Sequence, residues 1–309
     1  MKIILIGRTN WLIDTAKLLV NNGHQIIGII TSRSNLESTI NEDDIKNYAD
    51  LINAKFVYDP KITADKLMSE FDFEQIDIGL SVNYTGIISG DVLNLFKHGV
   101  LNAHGGDLPR YRGNACQAWA IINGETNIGI CVHKMIGNEL DSGKIISRKY
   151  VDITIDTRIG QVYKVFDDEI PKLFLEAVEK LNQNYSFFIE KQSTNPNDIL
   201  RCYPRTPIDG KICWDKPNDE ILRLINASSE PYFGAFCNFK EEKMIIWRAK
   251  LFNDNERWIG IPGQIASILR TGEIIVLTGK GKLAIEEIEY KGVRCKPNTL
   301  IKSLRERLN

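Results

Sequence analysis

Compact apolar runs and helical apolar stripes alternate along the first hundred residues. Ile3 to Ile6 is a short apolar run that reads as a buried strand. Trp11, Leu12, Ala16, Leu18, Leu19 and Val20 then recur at helical spacing until Asn21-Asn22-Gly23, and Gln25 to Thr31 is the next strand. A strand, a helix closed by glycine and a second strand predict a right-handed βαβ unit, the opening of a parallel sheet. Ser32 to Asp44 is polar and reads as a loop. The alternation resumes with a helix over Asp43 to Asn53, a strand over Phe56 to Tyr58 and a helix over Ile62 to Phe71. A strand over Ile76 to Val82 and a helix over Ser89 to Phe96, with Ser89 as its cap, complete the series. Val100-Leu101 opens a further strand. The pattern predicts an α/β fold, a doubly wound Rossmann-like sheet.

The second half reads differently. Asn114 to Asn123 is a short helix, and Ile128 to Met135 with Lys144 to Tyr150 suggests a hairpin around Asp141. A long amphipathic helix runs from Ile159 to Leu181, and Pro171 inside it predicts a kink. Asn182 to Pro196 is a polar connection, and one more helix follows Asn218-Asp219. From Phe233 onward short strands dominate: Met244 to Ala249, Gly263 to Ile268, Glu273 to Thr278 and Lys282 to Tyr290. That spacing predicts a small β-rich domain, a barrel or a sandwich. The expected organisation is a catalytic domain over 1–182, a linker over 183–204 and a C-terminal domain over 205–309.

Composition narrows the function classes. Hydrophobic residues make up 43% and charged residues 26% of the 309, an ordinary globular balance. A net charge of −1 gives no bulk attraction to nucleic acid. Six scattered cysteines without a C-x-x-C pair, and four histidines that do not cluster with them, offer no metal spacing. The thiols read as buried and reduced, and no metal is expected. No apolar stretch reaches the roughly 20 residues that span a bilayer, so a soluble, cytoplasmic protein with no membrane partner is expected. The first turn is Gly7-Arg8-Thr9-Asn10, which lacks the G-x-G-x-x-G dinucleotide fingerprint.

Chemistry concentrates in two stretches. Gly99 to Gly113 carries a strand into Asn102 and His104, two residues apart and therefore on one face, followed by the Gly105-Gly106 pair. Cys131 to Gly143 ends a strand and delivers Asp141. An amide, an imidazole and a carboxylate on neighbouring loops suit acyl transfer, with a positioned base and a stabiliser for developing oxyanion charge. Each has a plainer reading, as a capping asparagine, a hydrogen-bonded histidine and a turn aspartate.

Asn102-x-His104, Leu108-Pro-x-Tyr-Arg-Gly113 and Asp141-x-Gly143 resemble the signature of the N10-formyltetrahydrofolate-dependent formyltransferases. That family includes methionyl-tRNA formyltransferase, the aminoarabinose-modifying formyltransferase and the nucleotide-sugar N-formyltransferases. The resemblance begins at Met1. It continues through Arg205-Thr-Pro-x-Asp-Gly210, Ile212-x-Trp214 and Pro231-Tyr-x-Gly-Ala-Phe236. It implies an open-barrel C-terminal domain and transfer of a formyl group from N10-formyltetrahydrofolate to a primary amine. His104 would act as general acid and base, Asp141 would orient it and favour its protonated form, and Asn102 would face the formyl oxygen. The loop Ile136 to Leu140 is longer than in the related proteins, and its Glu139 is the other carboxylate available. The donor would lie along Gly86, Ile87 and Ile88 and along Gly137, Asn138, Glu139 and Leu140. Arg112, Arg205 and Tyr232 are the substrate-binding candidates, and Arg112 has the alternative of ordering its loop. Tyr232, Phe233 and Trp247 read first as core residues of the small domain, with stacking on a base as the alternative. His133 reads as a strand residue with no chemical role.

The wording of the first motif is closer to the nucleotide-sugar enzymes. Thr31 to Asp44 carries one arginine against Glu37, Glu42, Asp43 and Asp44, where a tRNA enzyme would present a basic loop. The expected acceptor is a nucleotide-linked amino sugar, a surface polysaccharide or lipopolysaccharide precursor, with no nucleic-acid partner. Methionyl-tRNA is the alternative. The β-rich C-terminal domain offers a surface for a homodimer. A non-catalytic binding protein would instead show a damaged Asn/His/Asp set and a basic, aromatic barrel face.

Overall fold

A computed structural model describes residues 1–34, 38–183 and 189–309. Residue contacts divide the chain into two compact units, one over 1–116, 128–151 and 163–202, the other over 117–127, 152–162 and 203–309.

The first unit is built on β1 (Lys2–Gly7), α1 (Asn10–Asn21), β2 (Gln25–Thr31), α2 (Glu42–Leu51), β3 (Lys55–Tyr58), α3 (Ala64–Glu70), β4 (Ile78–Val82) and α4 (Gly90–Leu93). It continues with β5 (Val100–His104) and the two-residue β6 (Arg112–Gly113). After the short helix α5 (Cys116–Asn123) come β7 (Asn127–Lys134), β8 (Ile145–Asp152), the long helix α6 (Ile159–Asn182) and β9 (Arg201–Cys202). Seven strands form one sheet in the order β3-β2-β1-β4-β5-β7-β8. The first five run parallel, and β7 turns the sheet antiparallel against β5. Strand β1 is the middle one of the five parallel strands, with Ile3, Ile4, Leu5 and Ile6 wholly buried, as both faces of a covered parallel sheet require.

Three details depart from the sequence pattern. The helix expected over Ser89 to Phe96 closes after one turn, where Leu95 N–H bonds to Val92 rather than to Asp91 and tightens the coil. Ser89 stands at its N-terminus without a side-chain cap bond. Helix α6 keeps Pro171 inside one helical run, as the sequence pattern places it, carried by a buried stripe from Ile159 to Val178. The loop after β2 gives way to α2 at Glu42, because Asn41 and Asp44 form a reciprocal capping box. Glu37 lies outside the described residues.

The second unit contains α7 (Asn218–Ser228), β10 (Ala235–Phe239), β11 (Glu242–Leu251), β12 (Ile265–Ile268), β13 (Ile274–Leu277), β14 (Lys282–Tyr290) and β15 (Val293–Cys295). The strands form an antiparallel sheet in the order β10-β11-β14-β13-β12, with β15 alongside β14. Register breaks in β11 around Arg248 bend it. One face buries Ile246, Val276, Leu283 and Ile285 with Leu222 and Ile225 of α7 in a single core. Trp247 is buried under the Arg294 guanidinium and Phe233 is half exposed. Among the described residues no helix is long and apolar enough to cross a membrane.

Leu5→Ala removes a fully enclosed side chain from the central strand. It should cost the first unit about 2–5 kcal/mol, read as a lower urea midpoint. A loss below about 1 kcal/mol would contradict this packing.

Candidate active site

The carboxyl end of β5 carries Asn102 and His104. Because β7 runs antiparallel to β5, His133 stands directly across from Asn102, and Cys131 across from His104. Side chains paired in this way share a face of the sheet. The Asn102 Nδ2 lies 3.4 Å from His133 Nε2, and the rings of His104 and His133 meet edge to face at 6.2 Å. His133 is a strand residue, as read from the sequence, and the pairing sets it beside Asn102 and His104. A cross-strand partner 31 positions away in sequence leaves no mark on local spacing.

Asp141 arrives from the turn after β7 in a left-handed conformation, φ 53°, which a short polar side chain tolerates. The turn closes tightly. A Cβ on Gly143 would sit 1.7 Å from the Lys134 carbonyl oxygen, so only glycine lets the two backbones cross there. The Asp141 side chain is 8% exposed. Its Oδ2 accepts the Gly113 N–H at 2.9 Å and stands 3.6 Å from His104 Nδ1, while Oδ1 stands 3.5 Å from His133 Nε2. Burial pushes this carboxyl up, but the two imidazoles and the Gly113 N–H outweigh it and hold the pKa down to about 2.

His104 is equally enclosed. Its Nε2–H donates to the Tyr111 carbonyl at 2.7 Å, and Cys116 Sγ donates to the same oxygen at 2.9 Å. Burial lowers the His104 pKa, and neither the Asp141 charge nor the Tyr111 bond, both of which raise it, restores the usual value. The expectation that Asp141 favours the protonated ring holds for its direction, but desolvation outweighs it. With Nε2–H given to Tyr111, Nδ1 is the ring nitrogen on the Asp141 side.

Glu139 is exposed and accepts the Ser142 hydroxyl at 2.6 Å, so the carboxylate beside His104 is that of Asp141. Arg112 is buried and directs Nε and Nη2 onto Gln192 Oε1, at 3.1 and 2.7 Å. Gln192 in turn donates to the Asp141 and Gly143 carbonyls, at 2.8 and 2.7 Å. This guanidinium is engaged in ordering the loop. Gln192 lies in the polar stretch read as a connection, and nothing in its local pattern marks it.

The remaining candidates occupy two loops and the second unit. Ile88 is buried in the core with Val92, so it presents backbone only, whereas Ile87 is 89% exposed. Gly86 fits closely against Pro60 O and the Tyr84 ring, where a Cβ would come within 2.8 Å of each. Gly137 packs on Gly90, so the loop with Asn138 and the exposed Leu140 lies beside the segment that follows Gly86. In the second unit Arg205 donates to Ala227 O, Asp209 O and Ser228 Oγ, and lies 5.7 Å over the Trp119 ring. Tyr232 is half-buried there. Of the cysteines, Cys116, Cys131, Cys202 and Cys237 are buried as expected, whereas Cys213 is exposed. Burial pushes the Cys131 thiol up to about 12.

Comparison with known proteins places this geometry. Residues 1–178 match the formyl transferase family model, and residues 205–305 match the model of the formyl transferase C-terminal domain. A methionyl-tRNA formyltransferase of Alkaliphilus oremlandii is 30% identical over 300 residues, covering 94% of this chain and 93% of its own. The fold is similar to an N-formyltransferase from Helicobacter canadensis in complex with folinic acid and dTDP-3-aminofucose. There the TM-score is 0.65 at 18% identity, over 92% of this chain and 98% of that one. It is also similar to HypX from Aquifex aeolicus in complex with tetrahydrofolic acid, with a TM-score of 0.62 at 16% identity over 98% of this chain. This chain spans about half of HypX, 47% of its length. With both domain models matched in order and a relative this similar over nearly its whole length, the chain belongs to the formyl transferase family and is a formyltransferase.

Proposed function

We propose that this protein moves the formyl group of N10-formyltetrahydrofolate to a primary amine, with Asn102, His104 and Asp141 as the working residues. The observation that carries the reading is a buried imidazole held between a carboxylate and a carbonyl at the end of β5. The donor supplies the one-carbon group. Backbone groups of Gly86 to Ile88 and of the 137–140 loop would hold it, and the exposed side chains of Ile87 and Leu140 suit a flat ring. The work is assigned to residues 1–182, with 183–204 as connection and 205–309 as the C-terminal domain.

His104 takes the proton that the attacking amine must lose. A proton arriving at Nδ1 is stabilised by Asp141 at 3.6 Å, and the same ring returns it to the departing nitrogen. Asn102 directs an amide N–H at the formyl oxygen, where negative charge develops. Arg112 supports the site through Gln192.

The comparisons favour methionyl-tRNA as the acceptor, because a relative 30% identical over nearly the whole chain carries that activity in its name. A specific observation favours a second acceptor, a nucleotide-linked amino sugar. The first turn of α2 presents Glu42, Asp43 and Asp44, and hydrogen bonding from Ser34 lowers the Glu42 pKa. Carboxylates on this face oppose a tRNA backbone. Arg205 and Tyr232 remain the candidates for holding the acceptor.

Purified protein with N10-formyltetrahydrofolate should release tetrahydrofolate in the presence of its acceptor. Salt-sensitive turnover with charged initiator methionyl-tRNA supports the first acceptor, and turnover with a nucleotide-linked amino sugar alone supports the second. Folate binding with turnover on neither would overturn amine formylation. With the productive acceptor, His104→Ala should lower kcat about 10²- to 10⁴-fold and Asn102→Ala about 10²- to 10³-fold, with folate affinity kept. Near-wild-type kcat in either would remove that residue from the chemistry.

The acid limb of the kcat/KM profile should fall below pH 6.5, because the His104 pKa is depressed. The Asp141 charge raises that pKa, so Asp141→Asn should move the limb to lower pH as activity drops. A limb that stays or rises would contradict the arrangement.

A further inference from the structure

We infer that His133 is a positioning residue, holding the Asn102 amide and the Asp141 carboxylate at a fixed separation from His104. The inference rests on the catalytic reading above and extends it to a residue outside the Asn102, His104 and Asp141 set. One nitrogen, Nε2, lies 3.4 Å from Asn102 Nδ2 and 3.5 Å from Asp141 Oδ1, so one ring touches both groups that flank the base. The other nitrogen, Nδ1, is 3.2 Å from the Lys134 carbonyl.

The backbone leaves little freedom. His133 is 2% exposed, one residue before the end of β7 and paired there with β5, and its ring meets that of His104 edge to face. An imidazole fixed in this way restricts rotation of the Asn102 amide about its terminal bond. With Nδ1–H donated to Lys134, a neutral ring accepts one Asn102 amide hydrogen at Nε2 and leaves the second for the formyl oxygen, whereas a protonated ring donates Nε2–H to Asp141 instead. Without the ring, Asn102 loses the partner that holds its amide. Asp141 keeps the Gly113 N–H but loses the contact at Oδ1. Small displacements of groups around a reacting centre cost about 10²-fold in rate.

The test is a pair of double-mutant cycles in kcat, His133→Ala with Asn102→Ala and with Asp141→Asn, each variant checked for an unchanged melting temperature. His133→Ala should lower kcat about 10²-fold with little change in either KM, and His133→Gln, whose amide reaches the Nε2 position, should recover much of it. In the Asn102→Ala background, loss of His133 should cost less than about threefold, because the group it positions is gone. A folded His133→Ala with near-wild-type kcat, or full additivity in both cycles, would overturn the inference. If Asn102→Ala alone leaves kcat unchanged, the oxyanion role of Asn102 fails. The His133 inference then stands only on coupling to Asp141, and additivity in that cycle ends it.

Discussion

The site is organised by the cost of burying one carboxylate. An ionised group removed from water is costly unless neighbours replace its hydration, and Asp141 is 8% exposed. The Gly113 N–H donates to it, and the His104 and His133 rings beside it add to that compensation when they carry a proton toward it. Each partner belongs to a different element, so the carboxylate ties β5, β6 and β7 together. The Asp141 turn is itself held by Gln192 and Arg112, which links the segment after α6 to the same point. Rigidity here follows from an electrostatic requirement, and a rigid site is what acyl transfer needs.

The same burial decides the state of the base. Desolvation lowers the His104 pKa while the nearby carboxylate opposes it, so the ring rests neutral yet has a partner ready for the charge it acquires. An exposed imidazole would have the ordinary pKa and no such partner. The family supplies the class of reaction, and these contacts supply the physical basis for it.

The alternation of strands and helices was legible because a doubly wound sheet imposes distinct periods on its elements. The residue types at Asn102, His104 and Asp141 were also readable, since strand-end position and turn chemistry are local properties. What sequence could not supply was pairing between distant segments. His133 gains its setting from an antiparallel register with β5, and Gln192 from a polar segment that folds back to the Asp141 loop. Arg112 shows the same limit. Its type allowed either substrate binding or loop ordering, and its partner in the fold, Gln192, could not be read from sequence. The one-turn α4 shows tertiary context outweighing local propensity.

The central claim is that His104 rests as a neutral imidazole with the proton on Nε2, facing an ionised Asp141. Nitrogen NMR of the histidine-labelled protein near pH 7 reads this directly, with His104→Gln identifying the resonance. The account predicts a neutral Nε2–H tautomer that protonates only below pH 6.5. A fully charged ring at pH 7, or a proton resting on Nδ1, would contradict it.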